Sequence, residues 1–164
     1  MKTTYPRWTG GYTLKPQGTI RRRRLISVQD VPVFEYVADK ADPLTLWLSE
    51  TDWRRPFRHF DKFDFGSVPL LLQSVVSPLA APRAFILHDS CYEFAGVWTP
   101  AGLREITRRE ADDLLYIGMR AEGVGWYTRQ KTWLGVRAGG GWVWSAEHTT
   151  LENTRRDAQA RMMI

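Results

Sequence analysis

Short runs of β-branched and aromatic residues, broken every few positions by glycine, proline or aspartate, fill the first fifty positions of the chain. Thr19-Ile20, Leu25 to Val28, Val31 to Val37 and Leu44 to Leu48 have the length and composition of strands. The breaks between them, Gly10-Gly11, Lys15-Pro16-Gln17-Gly18, Gln29-Asp30 and Asp42-Pro43, carry turn chemistry. From Trp53 to Lys62 the pattern dissolves, and an irregular segment is expected. Asp64 to Pro69 reads as a turn into a short apolar stretch, Leu70 to Val76. Ser77-Pro78 and Ala81-Pro82 then stop the chain twice.

Beyond Pro82 the period changes. Ala84 to Ala95 reads as a helix, with Pro82 at its first turn, where a missing N–H is harmless, and Gly96 as its end. His88 and Tyr92 fall one turn apart on one face, with Asp89 about 100° around the helix. Thr107 and Glu110 form a capping box ahead of a second helix from Ala111 to Met119, stopped by Gly123. Leu115 and Met119 share the broad face of Asp112, which turns that carboxylate towards the core. A third helix is expected from Trp126 to Val136, broken by Gly139-Gly140-Gly141. A short strand, Trp142-Val143-Trp144, should follow. The sum is an α+β fold, a β-rich N-terminal half with two or three short C-terminal helices packed on it. Residues 1–146 make one domain and 147–164 a polar tail.

Composition changes this picture in two places. The chain of 164 residues has the size of a single domain, yet it carries eight tryptophans and a net charge of +5. A basic, tryptophan-rich surface suits nucleic acid, an anionic membrane, a glycan or a protein interface; the plainer reading buries the tryptophans and solvates the arginines. No nucleic-acid motif accompanies Arg54-Arg55, Arg155-Arg156 or the run Arg21, Arg22, Arg23 and Arg24. That run is the candidate interaction surface, able to grip an acidic neighbour in a homo-oligomer or multi-copy assembly. Cys91 is the only cysteine, so no internal disulfide forms. Met1 to Gly18 lacks the apolar stretch of a signal peptide, and no run is long enough to cross a bilayer. Synthesis and folding in the cytoplasm are expected.

The candidate chemistry lies in the helix pair. His88, Asp89, Tyr92, Arg108 and Asp112 converge if the two helices pack antiparallel. Asp112 would then orient His88, Tyr92 would donate to the same carboxylate, and Asp89 would remain for Arg108 or a cation. An imidazole held by a carboxylate is the usual general base near neutral pH. The competing reading is a polar network that fixes the helix pairing, with Arg108 and Ser67 among its members. Of His59, His88 and His148, no two share a helix at ligand spacing, which removes support for zinc. No cofactor is expected, a calcium or magnesium ion on Asp89 and Asp64 being the one these carboxylates could take. Ser67 lacks a glycine-flanked elbow, and apolar neighbours make Cys91 an inert buried thiol.

Asp64-Phe65-Gly66-Ser67-Val68-Pro69, His88-Asp89-x-x-Tyr92, Thr107-Arg108-x-x-Ala111-Asp112, Gly135-Val136-Arg137 and Trp142 resemble, in order and spacing, the phage and prophage family known as domain of unknown function 1353. The resemblance runs from about Phe57 to Trp144. The family's Thr-Asp-Gly-Ala-Ser-Val-Pro stands here as Phe63-Asp64-Phe65-Gly66-Ser67-Val68-Pro69. His88, Asp89, Cys91, Tyr92 and Asp112 are also similar, locally, to phospholipase A2, where histidine activates water and the next aspartate holds calcium. The glycine loop and disulfides of that enzyme have no counterpart here. The family resemblance implies phage origin and, as the first expectation, a virion-associated structural or accessory protein of the tail or neck, among other phage structural proteins. Such a protein would move from the host cytoplasm to the virion. The alternative is a small phage hydrolase of a cell-envelope ester or amide, with His88 as base, Asp112 orienting it, Asp89 on a cation and Tyr92 behind.

Overall fold

The computed structural model describes residues 4–23, 28–63, 78–141 and Trp144. Within them the fold is α+β, with strands in the N-terminal half and three helices in the C-terminal half. The strands are β1 (Arg7–Thr9), β2 (Tyr12–Arg23), β3 (Val28–Ala38), β4 (Thr45–Trp47), β5 (Trp53–Arg54), β6 (His59–Phe63), β7 (Gly96–Thr99) and β8 (Gly102–Glu105). The helices are α1 (Pro82–Phe94), α2 (Arg108–Ala121) and α3 (Trp126–Gly139), with a 3-10 turn at Pro78–Ala80.

The described strands form two antiparallel three-stranded sheets, in the orders β1-β4-β5 and β2-β3-β6, and a separate β7-β8 hairpin. Proline placement fits these orders. Pro16 lies on the outer strand β2, at the register shift before Gly18, and Pro32 of β3 lies beyond the span that β6 pairs. The core is largely aromatic. Tyr36 stacks on Phe60 with centroids 4.8 Å apart, and Phe57 meets Phe94 of α1 at 4.1 Å. Phe85, Ile86, Leu115, Met119 and Val136 complete it from the helices.

The helix α1 is central. Every residue from Ala84 to Tyr92 is buried, so His88, Asp89 and Ser90 have been carried into the interior together. Each such group must find a partner or cost free energy. Ser90 finds one: its Oγ accepts from the Phe57 amide at 2.9 Å, pinning the approach to β6 against α1. The N-terminus of α1 has no side-chain cap of its own. Glu122, from the end of α2, supplies it, accepting from the amides of Arg83 and Ala84 at 3.1 Å each.

α2 forms as its local signals dictate, with both halves of the Thr107–Glu110 capping box in place. Its buried stripe is Ala111, Asp112, Leu114, Leu115, Gly118 and Met119. Gly118 permits the closest approach to α1, because a Cβ there would stand 3.0 Å from both Ala84 Cβ and Trp8 Cζ2. Contacts advance along α1 from Ala84 to His88 as they retreat along α2 from Gly118 to Asp112. The two helices therefore run antiparallel.

Three local expectations need correction. Trp53 to Lys62 is not irregular: it holds β5 and β6, and a register shift between Phe34 and Tyr36 of β3 removes the alternation that would have marked β6. Gly96 does not end α1. Ala95 takes the left-handed turn at φ 47° and Gly96 opens β7 of a hairpin. α3 does end at the glycines, at Gly139 with Gly140 as its C-cap, but Trp144 beyond them is helical, its amide donating to the Gly140 carbonyl at 3.1 Å. A strand at 142–144 is thereby overturned at Trp144. The expected strand residues Leu25 to Ser27, the turn at 64–69, the segment 70–76, and the tail 147–164 lie outside the described residues.

Candidate functional site

Asp112 is the hub of a buried cluster drawn from all three helices. It is 0% exposed, and its Oδ1 takes two contacts, from His88 Nε2 at 3.1 Å and from the Tyr92 hydroxyl at 2.7 Å. Its Oδ2 accepts from Arg137 Nη1 at 3.2 Å. The spacing of His88 and Tyr92, one turn apart on α1, lets both reach a single oxygen; their rings lie 4.2 Å apart. Arg137 comes from the last turn of α3, where its carbonyl accepts from Arg108 Nη1 at 3.1 Å. Arg108 thus braces the end of α3.

Gly140 completes this wall. A Cβ there would overlap the Tyr92 hydroxyl and the Val136 carbonyl, so the closing turn of α3 can sit on Tyr92 only without a side chain. Trp144 stands edge-on to Tyr92, with centroids 5.1 Å apart.

The electrostatics follow from burial and these bonds. Burial alone would raise the Asp112 carboxyl, but hydrogen bonds from His88, Tyr92 and Arg137 outweigh it and hold the group below its ordinary value. Burial alone would likewise lower the His88 imidazole. Its bond to Asp112 and then the nearby Asp89 reverse that, leaving its pKa raised. Burial, with the bond to Asp112 next, pushes the Tyr92 phenol well above its usual range, so it stays a donor. With Asp112 ionised, the carboxylate fixes the neutral tautomer of His88: the proton is on Nε2 and the lone pair on Nδ1.

That Nδ1 is buried without a hydrogen-bond partner among the described residues, and so is Asp89 Oδ1. The two atoms lie 3.7 Å apart, beyond hydrogen-bond range. His88 and Asp89 are only 1% and 8% exposed. An architectural network stabilises when its members are satisfied, and among the described residues these two adjacent polar atoms are not.

The remaining candidates are placed as follows. Arg108 meets Arg137 rather than Asp89. Asp64, Ser67 and Arg24 lie outside the described residues, as do the side chains of Arg22 and Arg23. Arg21 is 83% exposed and faces Asp30 across the hairpin at 3.7 Å, a solvated cross-strand pair. Cys91 is buried, and burial drives its thiol far above the thiolate range, so it is no nucleophile. No group of three or more His, Cys, Asp or Glu side chains suited to a metal comes together among the described residues. Arg137 and Gly140 complete the cluster; the sequence marked Arg137 only as part of the Gly135-Val136-Arg137 run and Gly140 only as a helix stop, with no role at the site. A basic residue in a last helical turn ordinarily serves the helix dipole.

The chain belongs to the family described as Protein of unknown function (DUF1353), whose profile matches residues 51–136. His88, Asp89, Tyr92, Arg108 and Asp112 fall inside that segment; Arg137 and Gly140 lie just after it. No curated protein and no solved structure matches the chain. No helix among the described residues is long and apolar enough to cross a membrane.

Proposed function

We propose that this protein is a small hydrolase, acting on an ester or amide, in which His88 Nδ1 is the general base. The observation that carries the reading is the asymmetry of the imidazole: Nε2 is anchored on Asp112, while Nδ1 has no hydrogen-bond partner among the described residues of a buried site. A base needs that arrangement. One nitrogen fixes ring and tautomer, and the other keeps its lone pair for the proton of an attacking water. As Nδ1 takes that proton, the imidazolium is stabilised through Nε2–H by an Asp112 already held ionised by Tyr92 and Arg137. Tyr92 and Arg137 are positioning residues that keep the carboxylate aimed. A cell-envelope ester or amide is the substrate class that phage origin would favour.

The test is hydrolysis of short-chain acyl ester and N-acyl amide probes by the purified chain. His88→Ala should lower the rate about 10²- to 10⁴-fold while circular dichroism and melting show a retained fold. The rate should rise with pH through a His88 pKa above the ordinary histidine value of about 6.5. Hydrolysis undiminished in His88→Ala removes the base from its role.

A second reading has its own observation. His88 is 1% exposed, which suits a network that only locks helices together, and Trp126, Tyr127 and Leu134 leave an exposed apolar face on α3. In that reading the protein is a virion component of the tail or neck, and the face meets another particle protein. Mass spectrometry of purified virions should then find it at fixed copy number, and its absence from them would leave the hydrolase.

A further inference from the structure

Trp53, Arg55 and Trp98 are brought to one face where the segment leaving β5 meets β7. Positions 53 and 55 differ by two, so their side chains leave an extended chain on the same side. Arg55 and Trp98 form an antiparallel bridge, exchanging backbone hydrogen bonds of 3.0 and 3.1 Å. Directly opposed residues in such a bridge also project to one side. Pro43 and Pro56 form the flanks, Arg58 stands at the rim, and the half-open pocket has a volume of about 150 Å³.

Arg55 is fixed in place before any ligand arrives. Its Nε donates to Thr45 Oγ1 at 2.7 Å, and that hydroxyl donates in turn to the Pro43 carbonyl at 2.7 Å. Thr45 is 1% exposed, so this anchor is part of the interior. The guanidinium carbon lies 4.1 Å from the Trp53 ring centroid, which spreads the cation over the indole face. Both restraints leave the outer edge of the fork, Nη1 and Nη2, without a bond to any described residue. Neither Arg55 nor Arg58 has a carboxylate within ion-pair distance among the described residues. Burial lowers the Arg55 pKa; Asp42 opposes this from further away, and the like charge of Arg58 adds to it. Two cations thus share a pocket walled by indole and proline, one of them immobilised with its donor pair outward. A guanidinium edge so held matches the two oxygens of a carboxylate or phosphate.

We propose that this pocket binds a small organic anion, with a carboxylate or phosphate head on a body of a single ring. The head sits on the Arg55 fork with Arg58 as second contact, and the ring packs on the Trp98 indole, since Trp53 already carries Arg55. The pocket shares no residue with the His88 cluster, and binding there stands or falls apart from hydrolysis.

Titration calorimetry and the indole N–H resonance of Trp98 test the site, with glucuronate, glucose 6-phosphate, benzoate, glucose and inorganic phosphate as probes. Ring-bearing anions should bind and shift that resonance, with glucose and inorganic phosphate at least about tenfold weaker. Preference between benzoate and the sugar acids identifies whether the body is aromatic or a sugar. Arg55→Lys keeps the charge but loses the fork, and affinity should fall about tenfold or more. Arg58→Gln, at an exposed position that the fold does not need, should weaken binding several-fold and guards against a misfolded Arg55 variant. Inorganic phosphate binding as tightly as the ring anions, an Arg55→Lys variant of unchanged affinity, or no anion moving the Trp98 resonance would each overturn the proposal.

Discussion

Asp112→Asn changes one atom of the hub and leaves its shape, so its effect isolates the charge. In the wild-type chain three donors converge on this fully buried carboxylate, at 3.1, 2.7 and 3.2 Å. A hydrogen bond to a charged group is worth about 1.5–3 kcal/mol, and a neutral one about 0.5–1.5 kcal/mol. Neutralising the acceptor therefore costs about 1 kcal/mol per donor. Arg137 is 30% exposed, so its share is discounted for screening. The expected loss is about 2–3 kcal/mol, or roughly 5–10 °C in Tm for a chain of this size. His88 should respond as well. Its pKa is raised only because the bonds to Asp112 and the proximity of Asp89 outweigh burial, so losing the Asp112 charge lets it fall.

The sign of the pH dependence follows from these directions. With its folded pKa raised, His88 contributes stability that is fully present below its unfolded value near 6.5 and fades as pH rises through the folded value. Asp112 is lowered, so its contribution is present above the unfolded carboxyl value and is lost as pH falls through the folded one. In Asp112→Asn both contributions shrink, and stability should depend less on pH on both sides of neutrality. Urea unfolding from pH 4 to pH 9, with histidine titration followed by NMR, reads both effects. Stability within 1 kcal/mol of wild type, together with an unchanged His88 titration, would show that Asp112 is not ionised, and the tautomer assignment would fall with it.

Two other perturbations probe the frame around the hub. Gly140→Ala forces a methyl group against the Tyr92 hydroxyl and the Val136 carbonyl; overpacking of this kind should cost about 1–3 kcal/mol by calorimetry and loosen the Tyr92 to Asp112 bond. Glu122→Ala removes the borrowed cap of α1 and should cost about 1–2 kcal/mol in chemical denaturation, with Glu122→Gln, which keeps one acceptor, clearly milder.

The helical half was more legible than the strands, for a physical reason. The start of α2 is set within four residues by Thr107 and Glu110, and local signals of that kind survive any tertiary context. The burial of Asp112 followed from its place on the Leu115 and Met119 face. Strands depend on what they pair with. Phe60 and Phe63 are both buried in β6 although three residues apart, because the ladder to β3 slips between Phe34 and Tyr36. The β7-β8 hairpin turns through Pro100-Ala101 and gives no more than four residues to each strand, too short for a pattern to register. The roles of Arg137 and Gly140, as distinct from their places in a family run and a helix stop, were not legible because they arise only where the end of α3 lands on Asp112 and Tyr92, contacts between residues far apart in the chain.

The indole of Trp8 donates to the Gly118 carbonyl at 3.0 Å, across 110 positions of sequence. Trp8 precedes the family segment by more than forty positions, and Tyr36, Ala38 and Leu44 of the main core precede it too. A fragment trimmed to 51–136 would keep His88 and Asp112 yet strip the wedge from between their helices and leave Phe60 and Phe85 bare on one side. The family region is better regarded as the socket of a joint than as an independent module. What seats it comes from the opposite end of the polypeptide.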